Sequence, residues 1–143
     1  MDLRLFEDSL GFEWESNIFG IQEGTHMLQG AYNDANWHHY AVQISDDVLS
    51  VFLDGVNVYE EIVSDNTPNF FDFSGPFTNL LIGTNSDQQS SFFKGLISEM
   101  KISSVAQYAE NFSPDSLRAD ESTVSLWKFN ENSGDVLYDL SGN

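Results

Sequence analysis

The dipeptide Asp54-Gly55 stands between two runs of β-favouring residues, Val48 to Leu53 and Val56 to Ile62. A two-residue connection between antiparallel strands needs positive φ at its centre, and Asp followed by Gly tolerates that conformation. The runs are therefore expected to pair as a tight hairpin. Just ahead, in Trp37 to Ile44, the alternating sets Trp37, His39, Ala41 and His38, Tyr40, Val42 are both substantially apolar. That pattern suits a strand covered on both sides, so a central strand is expected here.

The rest of the chain repeats the same short-strand grammar. Leu10, Phe12 and Trp14 alternate with Gly11, Glu13 and Glu15, which places the apolar set on one face of a half-buried strand. Ile18 to Ile21 and Thr25 to Tyr32 read as further strands separated by a turn at Gln22-Glu23-Gly24, and Leu80 to Gly83 and Gly95 to Ile102 as two more. The long stretch Val63 to Thr78 carries Pro68, Gly75 and Pro76 among Phe70, Phe71, Phe73 and Phe77, too many apolar rings for a solvated tether, and is expected to fold back over the strands. No helical stripe is sustained; Ser103 to Tyr108 and Pro114 to Arg118 allow a turn or two at most. The expected class is an all-β sandwich of antiparallel strands.

Charge narrows the partners. The chain has 143 residues, with 23 acidic against 5 basic side chains, a formal charge of -18 and no cysteine. Such a field repels nucleic acid and anionic membranes and attracts cations, while also serving solubility. Without cysteine there is no disulfide framework, thiolate metal site or cysteine nucleophile. Met1 to Asp8 has neither a basic nor a sustained apolar region of a secretory signal, and no later stretch is apolar enough for membrane insertion.

The order Trp37-x-His39-Tyr40-Ala41, a hydrophilic turn, a strand, Asp54-Gly55, a second strand, Leu81-Ile82-Gly83 and the phrase Phe93 to Ile102 resembles the laminin G-like domains of the concanavalin A-like superfamily, from about Gly11 to Phe112. The resemblance implies a jelly-roll β-sandwich and a non-catalytic recognition module, carbohydrate-binding and part of a larger extracellular or cell-surface protein. A structural, adhesive repeat that binds extracellular protein is the alternative. Ser98 stands where the family commonly has Asp. The family's first strands have no room ahead of Leu3, whereas Leu126 to Gly134 and Tyr138 to Asn143 look like the opening of such a domain. Residues 1–112 are thus expected to form the sandwich. Residues 113–143 supply a linker and a strand that either begins a following repeat or folds back into the same sandwich. An open sheet edge left by a missing strand would invite self-association.

Three kinds of site are expected. The resemblance implies calcium at loop ends, and Asn85, Asp87 and Gln88, after the Leu81-Ile82-Gly83 strand, offer the oxygen donors such a hard cation takes; Asp34 and Asn36 form a second cluster. Both clusters also suit plain polar turns. Adjacent His38 and His39 fall on opposite faces of a regular strand and cannot converge on one ion, so one is expected to pack and the other to face outward. For sugar, Tyr32, Asn33, Asp34 and Asn36 combine an aromatic face with hydroxyl-binding groups in one loop, and Phe71 could wall it unless it packs in the core. A glycoside hydrolase remnant is the third reading: Glu13 and Glu15 share a strand face, but the stretch lacks the Glu-x-Asp-x-Glu pattern of laminarinase-like hydrolases. No Ser/His/Asp order or phosphate-binding loop is present.

Overall fold

The computed structural model describes residues 2–5, 9–15, 23–29, 34–62, 82–83 and 92–143, the first three segments as backbone. The chain divides into two compact units, Met1–His38 with Val63–Lys94, and His39–Ile62 with Gly95–Asn143. Every strand among the described residues pairs antiparallel and no described residue is helical, the all-β class that the alternating pattern predicts.

In the first unit β1 (Asp2–Leu5), β2 (Ser9–Glu15) and β3 (Glu23–Gln29) form a sheet in that order, with Phe12 opposite both Leu3 and His26. β2 coincides with the alternating run expected there. Glu23 and Gly24, assigned to a turn from sequence, instead pair with Glu15 and Trp14. The available ladder outweighs the weak strand preference of glycine, a case of context overriding propensity. The strand expected over Ile18 to Ile21 and the stretches Val63 to Thr78 and Thr84 to Ser91 lie outside the described residues.

In the second unit β4 (Tyr40–Ser45), β5 (Val48–Leu53) and β6 (Val56–Ile62) form a three-stranded sheet joined by two tight turns. Both turns are left-handed pairs, Asp46 and Asp47 at φ 48 and 62, Asp54 and Gly55 at φ 51 and 78. These are the conformations that match the twist of flanking strands. β5 is the central strand: Leu49 and Val51 are fully buried and Phe52 nearly so. β4, expected in the centre, lies at one end of the order β4-β5-β6 among the described strands. It also starts at Tyr40 rather than Trp37, because Asp54 takes over the backbone of His39. The Asp54 carboxylate accepts His39 N–H at 2.9 Å and Asp54 N–H donates to the His39 carbonyl at 2.9 Å. In β6 the register shifts so that Tyr59 faces Val51 and Asn57 faces Phe52, a bulge at Val58.

β7 (Met100–Ser103) pairs with β8 (Thr123–Trp127), Met100 opposite Trp127 and Ile102 opposite Ser125. The strand expected from Gly95 therefore begins five residues later. Ahead of it the Glu99 carboxylate is committed to loop contacts: it accepts Leu117 N–H at 2.6 Å and Ser116 Oγ–H at 2.8 Å and pairs with Lys128 at 3.0 Å. The chain between β7 and β8 packs on the β4-β5-β6 sheet. Tyr108 and Phe112 stack face to face at 3.6 Å, His39 and Phe52 meet both rings, and Phe112 N–H donates to the Gly55 carbonyl at 2.8 Å. The Gln43 side chain closes the same junction, its oxygen accepting the N–H groups of Gln107 and Tyr108 and its amide donating to the Tyr108 carbonyl.

Candidate functional site

Asp34 organises the loop that precedes β4. Its Oδ1 accepts Asn36 N–H at 2.8 Å, the local bond of an Asx turn, and lies 3.0 Å from His38 Nε2; its Oδ2 accepts Asn36 Nδ2–H at 2.7 Å. Ala35 between them sits at φ 64, a left-handed conformation that costs an alanine energy and is held here by the bonds on either side. The Asn36 side chain first, and then His38, pull the Asp34 pKa down to about 2, so the group is a carboxylate at any physiological pH.

Trp37, within this bonded frame, is 65 % exposed. It lies ahead of β4 and owes nothing to the sheet ladder. The loop thus presents an aromatic face to water, with carboxylate and amide groups in the same loop.

Of the sugar-binding residues expected from sequence, Asp34 and Asn36 are brought together and bonded to each other. Tyr32, Asn33 and Phe71 lie outside the described residues, as do the calcium candidates Asn85, Asp87 and Gln88. Trp37 and His38 were assigned to the strand and so were missed as members of the loop. The signal that could have found them is the spacing Asp34, Asn36, His38, an Asx turn closed by a histidine.

The two histidines do not sit on opposite faces of one strand, since both precede β4, but their roles do divide. His38 bonds the Asp34 carboxylate, while His39 packs edge-on against Tyr108 and Phe112. Its Nδ1 is buried with no hydrogen-bond partner among the described residues. Burial pushes the His39 pKa below its ordinary value, opposed by the charges of Asp54 and Glu99. It is a packed, neutral ring.

Among the described residues no three His, Cys, Asp or Glu side chains cluster as metal ligands. An open depression of about 280 Å³ lies in the loop from Phe129 to Leu137, where the Glu131 carboxylate accepts Tyr138 N–H at 3.0 Å.

An antiparallel all-β scaffold bearing an exposed aromatic on a bonded polar loop is the build of a recognition domain. The laminin G-like family model described as concanavalin A-like lectin/glucanases superfamily matches residues 3–113, and the chain belongs to that superfamily. No curated protein and no solved structure matches the chain. Laminin G-like domains are carbohydrate- or protein-binding modules, typically non-catalytic and commonly extracellular. β8 lies beyond the matched segment but pairs with β7 inside it. No helix among the described residues is long and apolar enough to cross a membrane.

Proposed function

We propose that this domain is a non-catalytic carbohydrate-recognition module of an extracellular or surface protein, and that the loop Asp34 to His38 is its binding surface. The observation that carries the reading is the exposure of Trp37 on a loop fastened by Asp34, Asn36 and His38. The indole offers its face to the C–H side of a sugar ring, and the free hydrogen-bonding capacity of Asp34 and Asn36 meets the hydroxyls at its rim. Because the loop is already ordered, little conformational entropy is lost on binding.

The test is a glycan panel read by calorimetry with wild type and Trp37→Ala. Truncating a central tryptophan anchor costs about 2 kcal/mol, so affinity for any glycan that binds should fall about thirtyfold. A glycan that binds both proteins equally well would move the site away from this loop.

Protein recognition is the second reading, supported by exposed apolar side chains in the other unit, Leu96, Val136, Tyr138 and Leu140 among them. Catalysis by Glu13 and Glu15 is the third. The two occupy alternate positions of β2, and Glu13→Gln with Glu15→Gln would abolish a hydrolytic activity that depended on them.

A further inference from the structure

We propose that the Asp34 to His38 loop selects saccharides that carry a protonated amine, with Asp34 Oδ2 receiving the ammonium and Trp37 stacking on the ring that bears it. The inference rests on the reading of this loop as a sugar site and adds the chemical class of the ligand.

The first support is an inventory of acceptors. A carboxylate has about four lone-pair positions, and three at Asp34 are used, by Asn36 N–H, Asn36 Nδ2–H and His38 Nε2. The open one is on Oδ2, and the Asn36 Oδ1 acceptor beside it is also uncommitted among the described residues. An open carboxylate acceptor with an amide oxygen beside it can receive a group with several N–H bonds to give. An ammonium has three.

The second support is charge. Asp34 stays ionised because its own hydrogen bonds hold its pKa near 2. The chain as a whole carries -18, with 23 acidic side chains against 5 basic ones. Sulfated, uronic or sialylated glycans would meet a repulsive field, and amino sugars an attractive one. The third is the indole itself, whose face attracts cations as well as C–H groups, so the amine and the ring of one sugar are served by neighbouring residues.

The experiment compares a glucosamine hexamer, its fully N-acetylated counterpart, a heparin hexasaccharide and hexalysine near neutral pH, with wild type, Asp34→Asn and Trp37→Ala. A charge-assisted hydrogen bond is about twice as strong as a neutral one, so wild type should prefer the glucosamine hexamer about tenfold over the acetylated one and ignore heparin. The preference should fade with added salt, and the ratio of the two affinities should fall within about twofold in Asp34→Asn, whatever that variant's affinity for the acetylated hexamer. Equal or tighter binding of the acetylated hexamer by wild type overturns the proposal, as does heparin binding of similar strength. Hexalysine displacing the glucosamine hexamer as well as glucosamine hexamer does would also overturn it, because charge without sugar would then suffice. Should Asp34→Asn lose the loop and bind neither hexamer, the salt dependence and the hexalysine competition on wild type decide. Failure of every saccharide to bind, or Trp37→Ala binding both hexamers unchanged, refutes the sugar-site reading itself, an outcome distinct from loss of selectivity.

Discussion

Gly55→Ala should be among the most damaging small substitutions in this protein, for two separable reasons. Gly55 sits at φ +78 in the β5-β6 turn, where an alanine costs about 1–2 kcal/mol from backbone sterics alone. A Cβ there would also lie 1.9 Å from the Phe112 carbonyl oxygen and 2.9 Å from its carbon, inside any real contact distance. Since these are backbone atoms, relief requires the segment to retreat. The hydrogen bond from Phe112 N–H to the Gly55 carbonyl is then stretched, a loss of about 1 kcal/mol. The Tyr108 and Phe112 stack moves with it, worth about 0.5–1.5 kcal/mol. The sum is about 2.5–4.5 kcal/mol. Gly134→Ala is the internal control: its φ is +97, yet an added Cβ meets nothing within 4 Å, so only the conformational part applies. Urea unfolding of both variants reads the comparison, and equal losses of stability would refute the claim that Gly55 is held by close packing rather than by its φ alone.

His39 should make the fold acid-sensitive in a definite window. Its folded pKa lies below the ordinary 6.5, so the stability of the neutral ring is complete above pH 6.5 and declines as the pH falls from there towards the folded value, where the unfolded chain binds the proton first. His39→Phe keeps the ring contacts and removes the orphan Nδ1, and should abolish that decline; urea midpoints that still fall over the same range in the variant would exonerate His39. Leu126→Ala, at a β8 side chain only 3 % exposed, should cost about 2–5 kcal/mol. Because Gly95–Asn143 clusters with His39–Ile62 in one compact unit, amide exchange should quicken at Leu49 and Val51 of β5 as well as in β8, whereas a change confined to β8 would make that segment independent. Calcium at Asn85, Asp87 and Gln88 remains a proposal with a direct check: saturation a hundredfold above Kd should stabilise the fold by about 2.7 kcal/mol, a rise of several degrees in Tm that Asp87→Ala removes. No rise over chelator would discard the site.

Local chemistry made much of this architecture legible. β5, β6 and the Asp54-Gly55 turn fall where the residue pattern puts them, because turn conformation and strand period are decided by neighbours in sequence. The same local logic misplaced the start of β4. Trp37, His38 and His39 alternate as strand residues do, but Asp54, far along the chain beyond β5, claims the His39 backbone, and no window around His39 contains that information. Glu99 is similar: it continues a strand-like phrase, yet Ser116, Leu117 and Lys128 engage its carboxylate. In the candidate site, Asp34 and Asn36 were readable as a polar turn, whereas the exposure of Trp37 was not, since an indole beside a β-run is ordinarily core.

The sequence by itself determined the all-β class, the superfamily, the acidic field and the tight turn, all of which follow from residue type, order and nearest-neighbour spacing. Tertiary structure alone decided which strand is central, that Gly55 lies under Phe112, that His39 is a neutral packed ring and that β8 pairs with β7. These depend on contacts between residues far apart along the chain, where burial and hydrogen-bond partners are set by what the folded chain brings near rather than by what precedes or follows in the sequence.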